Sequence, residues 1–365
     1  MRRAPALLLL ALLTATAAPA AGEPVKDRPL GDTTVFAPVP DPPGNPEGIS
    51  VHRGVVFVGT HAPVSGDADE GPSEILRYDL ATGKQTEPPI TIKGQNTDET
   101  HGVLWMAWDA RGRLYVLDRN PPRLLRFARP HADAPAQETY ATFPDLAPCG
   151  TSNPPCSRTT SDAAPFPDFF AFDEVGNAYV SDLEQGTIFI VRPGGGKAEV
   201  WFTDERLDSV FGPNGIALDA AGTKLYFAMT GSQQPTRPGQ GVIYTLPLAG
   251  RPQAEDLEEF FVYTEPAAGP DGIAFGRSGD LYVALAGMNQ ISILKPDGTE
   301  RMRFPSAAEN QEREVPYDLP ASIAFDGDGS LLVTNQSFFA DDPEHMVVFD
   351  VWVDDVALQL VEPRL

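Results

Sequence analysis

One phrase recurs along the 365-residue chain at intervals of roughly 40 to 60 residues, and it limits the fold more than any other feature does. The copies are PEGISVHRGVVFVGT from Pro46, VLWMAWDARGRLYVLD from Val103 and PDFFAFDEVGNAYVSD from Pro167. They continue with PNGIALDAAGTKLYFAM from Pro213, PDGIAFGRSGDLYVAL from Pro270 and PASIAFDGDGSLLVTN from Pro320. Each reads as a short apolar strand, a tight turn rich in Gly and Asp, and a second apolar strand. Most copies add two further strand-like runs, such as EILRYDL and TEPPITI after the first, or TIFIVRP and AEVWFTD after the third. Turn signals recur about every 8 to 12 residues and helical periodicity is nearly absent. Four short antiparallel strands repeated six times predict an all-β, six-bladed β-propeller, in which radial repetition leaves few exposed sheet edges. A pair of β-sandwiches is the alternative architecture. A proline at the first residue of an inner strand fits, because little ladder bonding is lost there. The runs TTVFA and VALQLVE, near the two termini, are candidates to close the ring together; the sequence leaves the closure open.

The chain opens MRRAPALLLLALLTATAAPAAG, two arginines ahead of an apolar run with a small-x-small site at Ala18–Ala20. That layout predicts a secretory signal peptide over residues 1–21, then an extension over 22–45 and the propeller over 46–365. The apolar run is short for a bilayer span and no cysteine follows it, so neither a stable membrane anchor nor a lipid anchor is expected. Export to a periplasm or beyond suits the only two cysteines, Cys149 and Cys156, which bracket the turn-rich GTSNPP. A local disulfide is expected there, and no histidine stands at ligand spacing to make a zinc site. A net charge of −24 excludes nucleic acid as a partner, since neutralising phosphates takes clustered Lys and Arg.

Aligned on their second strands, the six copies differ at the residue after the first. It is Glu47, Leu104, Asp168, Asn214, Asp271 and Ala321. In a propeller the inner strands run side by side along the central channel, so these six positions form a ring at one mouth. Leu104 and Ala321 show that the fold does not demand polarity here. Three carboxylates crowded into one mouth repel each other and raise each other's pKa unless a cation sits among them. Carboxylates with an amide oxygen are a ligand set suited to Ca²⁺, and less so to Mg²⁺ or Mn²⁺. The competing explanation is that Asp and Asn are merely turn residues entering a strand.

With Glu in the first blade, an acid in the third, PNG in the fourth and PDG in the fifth, the chain resembles the senescence-marker-protein/gluconolactonase family. Strictosidine synthase-like proteins, paraoxonases and diisopropyl fluorophosphatase are that family's structural relatives. The resemblance spans nearly all of the expected mature chain and is sharpest at GPNGIAL and GPDGIAFGRSGDLYVAL. It implies a divalent metal, usually Ca²⁺, held by Glu47, Asn214 and Asp271. It also implies hydrolysis of a lactone or related ester, with Asp271 as the general base and Asp168 as second choice. Two departures stand out. Asp168 occupies a place where the family usually has Asn, and Phe166 stands where a basic residue often grips substrate.

Around this ring, His101 in NTDETHGVLW is a candidate proton shuttle, or else a solvated loop histidine, and His61 is a weaker one. Asp118 and Asp182 end second strands and are expected to bond neighbouring backbone. RPGGGK at Arg192 lies between two strands and reads as a hairpin turn rather than a phosphate loop. No G-x-S-x-G, H-E-x-x-H or P-loop occurs. The loops over residues 61–73, 145–167, 230–241 and 336–345 are expected to overhang the mouth, with Phe338 and Phe339 as apolar wall. The rival to a small-molecule hydrolase is a non-catalytic, NHL-like propeller that binds a ligand or a protein partner around a structural cation.

Overall fold

In the computed structural model, residues 28–62, 71–149, 156–157 and 164–365 are described. Six sheets follow one another around a ring, five of four strands and one of five. The innermost strands are Pro46–His52, Val103–Trp108, Pro167–Phe172, Pro213–Leu218, Pro270–Phe275 and Pro320–Phe325. These are the first strands of the six repeated phrases. Each pairs antiparallel with the strand that follows it in sequence. The six-bladed propeller expected from the repeats is therefore the fold. Its blades pack through apolar clusters built from neighbouring sheets, so each blade buries a face it could not bury alone.

Ring closure combines the two ends of the chain in one sheet. Thr33–Pro38 pairs antiparallel with Val347–Trp352 and forms the outer strand of the sixth blade. TTVFA thus closes the ring, whereas VALQLVE does not join it as a strand. Instead residues 356–365 leave the sixth blade and cross the end of the channel. They are tied to blade five by Arg277 N–H to Val356 O (2.8 Å) and Leu358 N–H to Phe275 O (2.9 Å). On the far side they are tied to blade two, by Ala110 N–H to Pro363 O (3.0 Å) and the Arg113 guanidinium to Leu365 O (2.6 Å).

The first blade is the least regular, with TEPPITI contributing only Ile90–Thr91 as outer strand. RPGGGK forms a turn between Thr187–Val191 and Glu199–Thr203, as its position predicts, and its Gly196–Lys197 also pairs with blade two. Among the described residues the sole α-helix is Ala307–Gln311, and no helix is long and apolar enough to cross a membrane. Residues 1–27, which carry the expected signal peptide, lie outside the described residues.

Candidate metal centre at the channel mouth

All six inner strands share one irregularity. The ladder register shifts between the first residue and the fourth, as between Pro46 and Ile49, Pro213 and Ile216, or Pro270 and Ile273. Such a bulge bends the strand and re-aims a side chain. The ring residues Glu47, Leu104, Asp168, Asn214, Asp271 and Ala321 sit in this unpaired stretch in every blade. The glycine that follows in three copies has a steric reason. A Cβ on Gly215 would lie 2.1 Å from the Asp271 carbonyl oxygen, and one on Gly272 would lie 2.6 Å from that of Ala321. PNG and PDG thus combine an oxygen ligand with the close approach of the next blade.

Four of the ring residues form one electrostatic unit. Burial and then the charges of Asp271 and Asp168 push the Glu47 carboxyl well above the usual range. Burial and then Asp168 do the same to Asp271, although the neighbouring Asn214 amide draws it back. Burial is also the main cause that lifts Asp168, to about 8, with Arg119 opposing it. Three acids that resist ionisation together are what a site for an added positive charge looks like without that charge.

The polar contacts sharpen this. Asn214 Nδ2–H donates to Thr230 Oγ1 (3.1 Å), and that hydroxyl donates to Pro270 O (2.9 Å), which fixes the amide plane. Asn214 Oδ1 and Asp271 Oδ1 are then buried oxygens with no hydrogen-bond partner. Orphaned buried acceptors are costly and uncommon, and two adjacent ones fit a hard cation. Glu47 is held differently, by the Gln336 side-chain amide, while Thr334 Oγ1 donates to its backbone oxygen (2.8 Å). Among the described residues no three His, Cys, Asp or Glu side chains stand as a ready-made ligand cluster. A donor set that fits is a mixed one that includes the Asn214 amide oxygen.

The sequence did not reveal Arg119, which follows the second strand of blade two. Its guanidinium lies 4.0 Å over the Phe166 ring and meets His61 Nε2 at 3.0 Å, and its charge acts on Glu184, Asp168 and Glu47. A cation therefore stands against the position where Phe166 replaces a basic residue. His61 is buried, gives its Nδ1–H to Ala62 O (2.6 Å), and packs edge-on against Phe338 (5.0 Å). Burial and then Arg119 hold it well below the usual histidine pKa, so it is neutral and accepts from Arg119. His101 has both ring nitrogens against carbonyl oxygens, Glu99 O at 2.8 Å and Gly71 O at 2.9 Å. It is a pinned loop residue rather than one of the mouth acids' partners.

Asp182 accepts from the backbone N–H groups of Phe166, Glu184 and Gln185, and Asp118 from Gln95 and Arg123. Both are scaffold groups. Cys149 and Cys156 form a disulfide; residues 150–155 and 158–163 lie outside the described ones.

Residues 184–337 match the family model described as the SMP-30/Gluconolactonase/LRE-like region. The chain carries an SMP-30/gluconolactonase-like region. That stretch includes Asn214, Asp271 and Gln336 but not Glu47, Arg119 or Asp168. No curated protein matches the sequence. Among solved structures, the chain is similar to regucalcin from Agrobacterium tumefaciens str. C58, described as a calcium-binding protein. Identity is 17%, coverage 92% of this chain and 98% of that one, and the TM-score 0.61. It is also similar to a putative gluconolactonase (15% identity, 90% and 94% covered, TM-score 0.56). The PQQ-bound aldose sugar dehydrogenase of Streptomyces coelicolor shares the architecture too (13%, 88% and 98%, TM-score 0.58). Identities this low establish the propeller, which hosts several chemistries.

Proposed function

We propose that this protein is an exported, Ca²⁺-dependent hydrolase acting on a lactone or related ester, with its metal at the channel mouth. The observation that carries the proposal is the pair of partnerless buried oxygens, Asn214 Oδ1 and Asp271 Oδ1, beside Glu47 and Asp168. Glu47, Asp168, Asn214 and Asp271 would hold the ion. A bound Ca²⁺ supplies Lewis acidity toward a carbonyl oxygen and stabilises the negative charge that develops there.

The chain's own groups do the rest. Asp271 is the base that takes a proton from the attacking water, through the carboxylate oxygen that the ion leaves free. Asp168 stands second in that role. Arg119, oriented by the neutral His61 and the Phe166 ring, supplies fixed positive charge beside Asp168 and Glu47. Gln336 donates its side-chain amide to Glu47 and orients that carboxyl. The disulfide agrees with an oxidising compartment and supports export.

The test is calcium titration calorimetry on chelator-stripped protein and on Asn214→Ala, followed by an ester and lactone panel with and without chelator. One site that weakens in the variant, with chelator-sensitive turnover, is the expected result. Calcium binding without turnover across the panel would favour a non-catalytic propeller with a structural cation. No heat, or heat indifferent to Asn214, would overturn the metal centre itself.

A further inference from the structure

The opposite end of the channel encloses a cavity of about 230 Å³. Its walls come from the inner strands of all six blades and carry Trp105, Trp108, Phe170, Phe172, Phe275 and Phe325; its floor is the C-terminal segment 357–362. The space exists because the fifth residue of each inner strand is small. Ser50, Ala107, Ala171, Ala217, Ala274 and Ala324 all line it, each beside the larger residue that precedes it. Well-packed interiors hold few voids larger than a water molecule, so a chamber of this size at the centre of a ring calls for an occupant.

We propose that this chamber is a binding site for a compact, uncharged aromatic molecule of one or two rings. The two indole donors in the wall are satisfied before any ligand arrives. The Trp105 indole N–H donates to Phe170 O (3.0 Å) and that of Trp108 to Ser50 Oγ (3.1 Å), so both rings offer only apolar surface. Apolar cavities of about 150 Å³ already stay dry and take up benzene, and this one is larger. The lining holds Glu174, Asp219 and Glu362 and no Lys or Arg, which selects against anions. The floor is the weakest wall. Its ends are bonded to blades five and two, but residues 359–362 make no hydrogen bond to any blade, and Leu360 is 66% exposed. Access past the middle of this segment needs no blade to move.

The probe is 5-fluoroindole, followed by fluorine NMR on the full mature chain, with 5-fluoroindole-3-acetate as its anionic counterpart. One saturable site is expected, with the anion at least 10-fold weaker. Ala107→Leu and Ala274→Leu, on opposite blades and each checked for an unchanged fold by circular dichroism, should each weaken the neutral probe at least 10-fold. Phe339→Ser, on an exposed mouth loop, should leave binding unchanged. Absence of saturation would overturn the proposal. So would binding that persists in both folded filling variants, equal binding of the anion, or loss of binding in Phe339→Ser.

Discussion

The two ends of the channel are built from the same six strands and have opposite chemistry. At the mouth, the bulged second residue of each strand presents Glu47, Asp168, Asn214 and Asp271, with Leu104 and Ala321 completing the ring. Three residues further along, the same strands present one Ser and five Ala, flanked by large apolar groups. The mouth varies from blade to blade, and the chamber hardly varies at all. The difference teaches that a propeller's backbone repeat fixes where side chains point, while function depends on where the repeat is broken. Asymmetry at one ring gathers three acids and an amide; near-symmetry at the other makes only a shape.

The sharpest way to break this comparison is to damage the spacing between blades at the mouth. Gly215→Ala places a Cβ against the Asp271 carbonyl oxygen, which belongs to backbone and cannot swing aside. We expect a loss of about 3 kcal/mol in denaturant unfolding together with weaker Ca²⁺ binding. An unchanged midpoint would mean that the ring tolerates a wider spacing and that its ligands are not held by blade contact. Next comes the ligand itself. Asp271→Asn keeps the shape and removes one charge, and should lower Ca²⁺ affinity on the order of 100-fold with folding intact, measured by calorimetry. Equal affinity would shift the ion away from blade five.

The third test uses pH. Asp168 is pushed up to about 8, and Glu47 and Asp271 are also raised, chiefly by burial. A carboxyl with a folded pKa above its unfolded value keeps its proton longer in the folded state. Its contribution is therefore complete below the unfolded pKa, near 4, and is lost as pH rises through the folded value. Chelator-treated protein should lose stability steadily between about pH 4 and 8, and saturating Ca²⁺ should flatten that slope. The same slope with and without calcium would sink the idea that these acids await a cation. Ala274→Leu lies at the other end of the strand from these three acids, so their calcium-sensitive part of the slope should persist in it.

The mouth half of this contrast was legible in the sequence, and the reason is local; the chamber was not read there. A strand, a turn and a second strand are written in adjacent residues, so six copies of the phrase identify six blades. The ring residues share a register within each copy, which brought Glu47, Asp168, Asn214 and Asp271 together before any coordinates. What remained hidden depends on contacts between distant residues. Gln336 meets Glu47 across 289 positions, from a loop whose conformation no short pattern specifies. Arg119 follows YVLD directly, but its direction is set by Phe166 and His61 in neighbouring blades. Ring closure stayed open because TTVFA and VALQLVE alternate equally well; only the geometry of the ring makes one a strand and the other a floor. The position of Phe166 pointed to a missing cation, and the fold supplies one from another blade.

The smallest expected effect probes the floor. Leu360→Ser changes a side chain that is 66% exposed, in a stretch without hydrogen bonds to the blades. Substitutions at such places usually stay within about 0.5 kcal/mol, so the midpoint of thermal unfolding should move by no more than about 2 °C. Calcium affinity at the mouth should not move at all, because the channel's two ends share strands but no polar contact. A larger loss would show that the middle of the segment is packed in solution, which would make the chamber a sealed part of the core. A change in calcium affinity would show that the inner strands transmit strain along their length, and the two ends would then have to be treated as one site.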